Sequence, residues 1–151
     1  MKRRKNIGLI AHDACKKDMT EWAVFNARRL AHHRLVCTGT TGSLIQKVFA
    51  EKYPGLEVEL IRLKSGPLGG DQQMGALIAE GRLDILIFFT DPMTMQPHDV
   101  DIKALIRLST IANIVVACTR STADFIISSE LFDGDYESIP PDHQAYISRP
   151  V

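Results

Sequence analysis

The sequence predicts a doubly wound α/β fold, in which helices cover both faces of a parallel, five-stranded sheet. Five short apolar runs alternate with segments of helical periodicity along the 151 residues. Four of these runs are almost continuously apolar, as expected for strands that are covered on both faces. Right-handed crossovers between successive strands would place helices on each side of the sheet. A chain of this length is expected to form one domain with a sizeable core.

The predicted strands are bounded by polar residues and carry aliphatic or aromatic side chains. They span 6–11, 34–38, 58–63, 84–90 and 114–118. The third run, VELIRL, intersperses apolar and charged residues, which indicates a half-exposed strand at the side of the sheet.

Helices are predicted where apolar residues recur three and four positions apart. They span 13–31, 43–52, 71–80, 100–112 and 121–129. Asp13, Asp99 and Ser121 are the expected N-caps of three of these helices. Gly81 is expected to end the helix that begins at residue 71.

Composition is that of an ordinary soluble globular protein, with 45% apolar and 24% charged residues. The formal net charge is zero, so no general attraction to nucleic acid or to a membrane surface is expected. No apolar run is long enough to span a bilayer. The cysteines Cys15, Cys37 and Cys118 are odd in number and form no CxxC pair, which favours a reduced, cytoplasmic protein.

The two ends of the chain lie outside this alternating pattern. Residues 1–5 are predicted to be a solvated basic tail. Residues 133–151 contain two consecutive prolines and are predicted to form an arm that packs over the domain or over a neighbouring molecule. His32 and His33, at the end of the first predicted helix, are expected on the surface.

Polar residues follow every predicted strand. Ligands of a parallel α/β sheet bind beyond the carboxyl ends of its strands, so these residues are the candidates for a site. They are His12, Asp13 and Lys16; Thr38 to Gly42; Ser65, Gly66 and Gly69 to Asp71; Asp91, His98, Asp99 and Asp101; and Thr119 to Thr122.

The segment TGTTGS, residues 38–43, has the composition of an anion-binding loop. Glycines let backbone N–H groups approach an anion, hydroxyls add donors, and the following helix contributes its dipole. Lys16 could add a positive charge. The same segment also fits a plain strand-to-helix turn with Ser43 as cap. It matches neither the Walker A loop nor the GxGxxG motif, so it does not indicate a nucleotide-binding site.

A second group of candidates lies in FFTDP and PHDVD. His98 and Asp101 could share proton transfers, because a carboxylate can fix the tautomer of an imidazole. Asp101 also fits the first turn of a helix without any catalytic role. A metal held by His12, Asp91, His98 and Asp101 is conceivable, but no known ligand spacing supports it, so no metal site is predicted.

The segment SGPLGGDQQ places three glycines around a single carboxylate. Asp71 could simply cap the next helix, where N–H groups would hold its pKa down. A cap needs only the aspartate, however. The additional glycines favour a loop that a ligand approaches closely.

Five motifs, in order, resemble the methylglyoxal synthases. They are AHDACK (11–16), TGTTG (38–42), SGPLGGDQQMGALIAEG (65–81), DILIFFTDP (84–92) and PHDVDIKAL (97–105). The resemblance implies a three-layer α/β/α domain and the conversion of dihydroxyacetone phosphate to methylglyoxal and inorganic phosphate, without a metal or an organic cofactor. It also implies an allosteric homohexamer that phosphate inhibits.

The resemblance also implies roles for individual residues. Asp71 matches the catalytic base, and Gly66, Asp91, His98 and Asp101 match further catalytic positions. The matched contacts to substrate and phosphate are His12, Lys16, Thr38, Gly39, Thr40, Thr41, Ser65, Gly66 and His98.

The sequence departs from the family's pattern in two places. Thr90 stands where some members have a large aromatic residue, and the tail after Phe132 is less similar. Within that tail, Arg149 is the candidate for a family arginine that reaches an adjacent subunit's phosphate site. A regulatory phosphate-binding module of the same fold is the alternative function. A sugar-phosphate isomerase, which would share the enediolate step, is a third.

Overall fold

A computed structural model describes residues 4–151. Its sheet has five parallel strands in the order β3-β2-β1-β4-β5. The strands are β1 (Asn6–Ala11), β2 (Arg34–Cys37), β3 (Glu59–Arg62), β4 (Ile85–Phe89) and β5 (Val115–Ala117). Each strand lies within a predicted run, and the expected doubly wound α/β fold is confirmed.

The α-helices of the described residues lie between the strands and after the last one. They are α1 (Lys16–Phe25), α2 (Ala27–Leu30), α3 (Gly39–Lys52), α4 (Gly70–Ala79), α5 (Asp99–Ile111), α6 (Arg120–Ser128), α7 (Glu130–Asp133) and α8 (Gln144–Ile147). Short 3₁₀ turns at Asp13–Cys15 and Gly66–Leu68 precede α1 and α4.

The strand order reverses at β1, which lies in the centre of the sheet. The chain first winds outward through β2 to β3 and then returns to place β4 on the other side of β1. Leu9 consequently pairs with Cys37 of β2 and with Ile87 of β4. Such a reversal opens a crevice at the carboxyl ends of the strands, where α/β proteins bind their ligands.

Two apolar cores, one on each face, explain why β4 is apolar at every position. Ile85, Ile87 and Phe89 belong to one core, and Leu86 and Phe88 to the other, because successive strand residues point to opposite faces. By contrast, β3 lies at the side of the sheet and is largely exposed, as VELIRL predicted.

Helix starts differ from the predicted ones by up to four residues. Helix α3 begins at Gly39 with Thr38 at its N-cap position, so Ser43 lies inside the helix. Asp13 opens the 3₁₀ turn before α1 and pairs with Lys16, so it does not cap a helix.

The other predicted caps are shifted as well. Helix α5 has His98 at its N-cap position and Asp99 in its first turn. Helix α6 is capped by Thr119, whose hydroxyl accepts a hydrogen bond from the N–H of Thr122, so Ser121 lies within the helix. Gly81 follows α4 with a φ of 68°, the left-handed conformation that ends helices, as predicted.

Two residues predicted to be solvated are buried instead. Lys5 is 1% exposed, and its Nζ donates to the carbonyl oxygens of Phe132 (2.6 Å) and Gly134 (2.7 Å). His33 is also 1% exposed, and its Nδ1 accepts from the N–H of Lys5. Together they join the start of β1 to the segment around α7. The rest of the predicted tail, residues 1–3, lies outside the described residues.

The C-terminal arm follows α7 and is mostly exposed. It contacts the domain where α5 ends, through a hydrogen bond from Asn113 Nδ2 to the carbonyl oxygen of Ile139. Arg149 remains within the arm, where its guanidinium lies 3.5 Å from the ring centroid of Tyr146. Within residues 4–151, no helix combines the length and the apolar character needed to cross a membrane.

Candidate active site

A cleft of about 290 Å³ opens at the carboxyl ends of the strands, at the reversal between β1 and β4. Segments that follow four strands contribute to its wall. The lining residues are Ile10, Ala11, His12, Asp13, Lys16, Thr38, Thr40, Thr41, Ser65, Gly66, Pro67, Asp71, Gln96, Pro97 and His98. The cleft thus brings together most of the polar residues that the sequence places after strands.

Asp71 lies in the first turn of α4, where its side chain caps nothing. It is 3% exposed, and neither carboxylate oxygen has a hydrogen-bond partner among the described residues. Burial raises the pKa of Asp71; the charge of His98 opposes this shift, and the charge of Asp101 adds to it. The expectation of a helix-capping carboxylate with a lowered pKa is therefore wrong, because desolvation is not offset by N–H donors.

The glycines of SGPLGGDQQ let two backbone segments meet beside this carboxylate. A side chain at Gly70 would overlap the carbonyl oxygen of Lys64, and Gly69 adopts a φ of 109°. Gln73 strengthens the contact, because its Oε1 accepts a hydrogen bond from the N–H of Lys64 (2.9 Å). The start of α4 is thereby held against the loop that carries Ser65 and Gly66.

Gly66 lies directly opposite the reactive groups. A Cβ atom there would lie 3.1 Å from both oxygens of Asp71 and 3.3 Å from His98 Nε2. The absence of a side chain at Gly66 therefore keeps the space in front of the carboxylate open to a ligand.

His98, at the start of α5, is the nearest titratable partner of Asp71. Its Nε2 lies 3.3 Å from Asp71 Oδ2, an ion-pair distance, although the two groups are not aligned as a hydrogen bond. Its other nitrogen, Nδ1, is buried and has no partner among the described residues.

His12, which follows β1, is held as one tautomer. Its Nδ1 accepts a hydrogen bond from the N–H of Asp91 (2.8 Å), so the proton of the neutral ring is on Nε2. That Nε2 is buried without a partner in residues 4–151. Burial lowers the pKa of His12, and neighbouring His98 lowers it further. His12 is therefore a neutral hydrogen-bond donor at neutral pH.

The segment TGTTG forms the start of α3 and one end of the cleft. The first amides of a helix have no acceptor within the helix and carry the positive end of its dipole, which suits an anion. The hydroxyl of Thr41 is buried without a partner among the described residues. Lys16 also lines the cleft, and its Nζ donates to the carbonyl oxygen of Ala11 and pairs with Asp13.

Gly39 supports the wall of the cleft rather than lining it. Its N–H donates to the carbonyl oxygen of Lys64 (3.0 Å), and a Cβ atom there would lie 2.8 Å from the backbone nitrogen of Ser65. The loops after β2 and β3 can pack together because this position has no side chain.

Asp91 and Asp101 lie beside the cleft and do not line it. Asp91 lies behind His12, in a neighbouring cavity. Asp101 lies in the groove between α4 and α5, which Asp71 also lines. Among the described residues, no group of three or more His, Cys, Asp and Glu side chains is placed to hold a metal ion.

Sequence reasoning missed Gln96, which lines both the cleft and the neighbouring cavity. A single amide within a loop gives no periodic or motif signal. Only its position, two residues before His98, could have suggested it.

Known proteins resemble this chain in both sequence and fold. A family model for the MGS-like domain matches residues 18–119. The methylglyoxal synthase of Maridesulfovibrio salexigens is 49% identical over 155 aligned positions, covering 99% of each chain. That of Erwinia tasmaniensis is 51% identical over 146 positions, covering 97% of this chain and 91% of the relative.

This chain belongs to the methylglyoxal synthase family. The crystal structure of methylglyoxal synthase from Elizabethkingia anophelis superimposes with a TM-score of 0.90 at 46% identity. It matches 100% of this chain, and the match covers 95% of that structure. The family similarity therefore extends beyond the five motifs to nearly the whole chain, including the C-terminal arm.

Proposed function

We propose that this chain is a carbon–oxygen lyase that converts dihydroxyacetone phosphate to methylglyoxal and inorganic phosphate. The observation that carries the proposal is the convergence of unpartnered polar atoms on one cleft. Both oxygens of Asp71, Nε2 of His12, Nδ1 of His98 and the hydroxyl of Thr41 are buried there without partners among the described residues. Buried polar atoms normally have partners, so these point to a ligand that supplies them.

Asp71 is the base. It removes a proton from the hydroxymethyl carbon next to the ketone, and the electrons of that C–H bond form an enediolate. Its raised pKa makes the carboxylate more basic than an exposed aspartate, which favours this transfer.

His12 and His98 stabilise the enediolate oxygens. The Nε2–H of His12 is a neutral donor in a buried site, where hydrogen bonds to developing charge are strong. In comparable sites the removal of one such donor raises the barrier by roughly 2.7–4 kcal/mol.

The phosphate group binds at the start of α3. Thr38, Thr40, Thr41 and Lys16 form the cradle, and Gly39 supports it from behind, because its N–H is already bonded to Lys64. Ser65 and Gly66 hold the substrate between the cradle and Asp71. Elimination requires the C–O bond of the phosphate ester to stand out of the enediolate plane, so that it overlaps the π system. The cradle therefore selects the reaction as well as the substrate.

The C–O bond of the phosphate ester then breaks, and phosphate leaves with its electron pair. The remaining enol becomes methylglyoxal when its methylene carbon gains a proton and its hydroxyl group loses one. An isomerase would hold the same C–O bond near the plane and retain the phosphate.

Free phosphate is expected to inhibit the enzyme by occupying the same cradle.

We also propose that the chain assembles as a homohexamer and is located in the cytoplasm. Light scattering on the purified protein should give a mass six times that of one chain, and a monomer would exclude the hexamer.

The decisive experiment is incubation of the purified protein with dihydroxyacetone phosphate, followed by ¹H and ³¹P NMR. Methylglyoxal and inorganic phosphate should accumulate in equal amounts. Glyceraldehyde 3-phosphate without free phosphate would indicate an isomerase. Phosphate binding without turnover would favour the regulatory binding module.

A further inference from the structure

The loop between β4 and α5 brings Gln96, Pro97 and His98 to the cleft, and its first turn is built on Asp91. Oδ1 of Asp91 accepts hydrogen bonds from the backbone N–H groups of Met93 (2.9 Å) and Thr94 (3.3 Å). This is the pattern by which an aspartate side chain closes a turn on its own backbone. Met93 and Thr94 are exposed, so few other contacts hold the turn in place.

The same residue also contacts His12, through its main chain. The N–H of Asp91 donates to His12 Nδ1 at 2.8 Å. This bond leaves Nε2 as the protonated nitrogen of the neutral ring, and Nε2 is the unpartnered atom. The side chain of Asp91 thus shapes the turn, and its backbone fixes the hydrogen that His12 offers to a ligand.

The carboxylate of Asp91 is poorly placed to exchange a proton with substrate. It lines the neighbouring cavity instead of the cleft. The hydrogen bonds from Thr94 and Met93 lower its pKa, so the group stays ionised. In Asp71, by contrast, both oxygens are buried and unpartnered and face the cleft.

We infer that Asp91 is a positioning residue: its carboxylate closes the turn that presents its own N–H to His12, and it takes no part in proton transfer. This inference rests on the proposed function for the use that His12 makes of its Nε2–H. The effect of the Asp91 turn on the tautomer of His12 does not depend on any reaction that the protein catalyses.

Three variants separate positioning from proton transfer. The side-chain oxygen of Asp91→Asn can accept the same two hydrogen bonds but cannot act as a base. We expect Asp91→Asn to keep kcat within about threefold of wild type. Asp91→Ala should lower kcat about 10- to 100-fold, at most the effect of losing the hydrogen bond that His12 donates, and should change KM less. Asp71→Asn is the matched control and should be almost inactive. A loss in Asp91→Asn as large as that in Asp71→Asn would overturn the inference.

The second readout needs no turnover. The ¹⁵N chemical shifts of the imidazole nitrogens report the tautomer, and His12→Gln assigns the His12 signals among the five histidines. We expect the Nε2–H tautomer in wild type and in Asp91→Asn, and a mixture of tautomers in Asp91→Ala.

An unchanged tautomer in a folded Asp91→Ala protein would refute the positioning role. If wild type produces no methylglyoxal, the proposed function fails, while the tautomer measurement still decides the role of Asp91. Backbone amide spectra of each variant establish that it is folded.

Discussion

Replacement of Asp71 by asparagine should abolish turnover and, at neutral pH, stabilise the fold. The change removes the base but keeps nearly the same size and shape. Activity should fall by a factor of at least about 10³, because Asp13, which is paired with Lys16, is the only other carboxylate among the described residues that line the cleft. Substrate binding should persist.

The stability gain follows from the surroundings of the carboxylate. Asp71 is 3% exposed, and neither of its oxygens is hydrogen-bonded within the described part of the chain. A buried polar group without partners costs about 1–3 kcal/mol, and a charged one costs more. An uncharged amide at this site carries a smaller penalty, so a gain of about 1–2 kcal/mol at pH 7 is expected.

The gain should depend on pH in a definite direction. The pKa of Asp71 is raised in the folded state, so the folded protein binds this proton more tightly than the unfolded chain does. The wild type therefore loses stability as pH rises through the folded-state pKa, and below the unfolded-state pKa it has no penalty. The advantage of Asp71→Asn should thus be present at pH 7 and nearly absent at pH 4.

Urea unfolding of both proteins at the two pH values measures this difference. Asp99→Asn is a suitable control, because Asp99 lies in the first turn of α5 as Asp71 does in α4, but it is exposed. Its stability change should show no comparable gain at pH 7. The reasoning is refuted if Asp71→Asn is no more stable than wild type at pH 7, or if it keeps more than about a tenth of the activity.

Three further substitutions, the last with a matched control, test other parts of the structure. Gly66→Ala places a methyl group 3.1 Å from the Asp71 oxygens, so kcat/KM should fall about 100-fold while the thermal midpoint changes little; wild-type kinetics would contradict the geometry of the cleft. Thr41→Val removes a buried, unpartnered hydroxyl, and phosphate inhibition should weaken about 10-fold in steady-state assays; an unchanged inhibition constant would remove Thr41 from the cradle. Lys5→Met removes two hydrogen bonds that a buried ammonium donates, and urea unfolding should show a free energy of unfolding lower by about 3 kcal/mol. The control is Arg4→Met, which breaks an exposed ion pair with Glu59 and should lower the free energy of unfolding by less than about 1 kcal/mol. Equal effects of the last two would show that burial of Lys5 adds nothing.

The strands were predictable because local composition determines them. A strand covered on both faces must be apolar at successive positions, and β4 displays this directly as ILIFF. The general place of the site followed from topology alone, since polar residues after parallel strands meet at one end of the sheet.

Burial of polar groups was not predictable in this way. Lys5 and His33 stand in polar sequence contexts, and only the return of the chain at α7 covers them. The state of Asp71 depended equally on tertiary contacts. Its position in the first turn suggested N–H donors, but the backbone approach at Gly70 leaves the carboxylate facing the cleft without them.

The buried contact of Lys5 lies at the amino end of β1, whereas the cleft lies at the carboxyl end. The protein thus separates in space the groups that anchor its fold from the groups that are left unsatisfied for a ligand. Substitutions near Lys5 can shift the melting temperature without altering the residues of the cleft. Substitutions in the cleft can likewise leave the contacts of Lys5 intact. Because of this separation, the site residues of a small domain can change, and with them its reactivity, while the fold is retained.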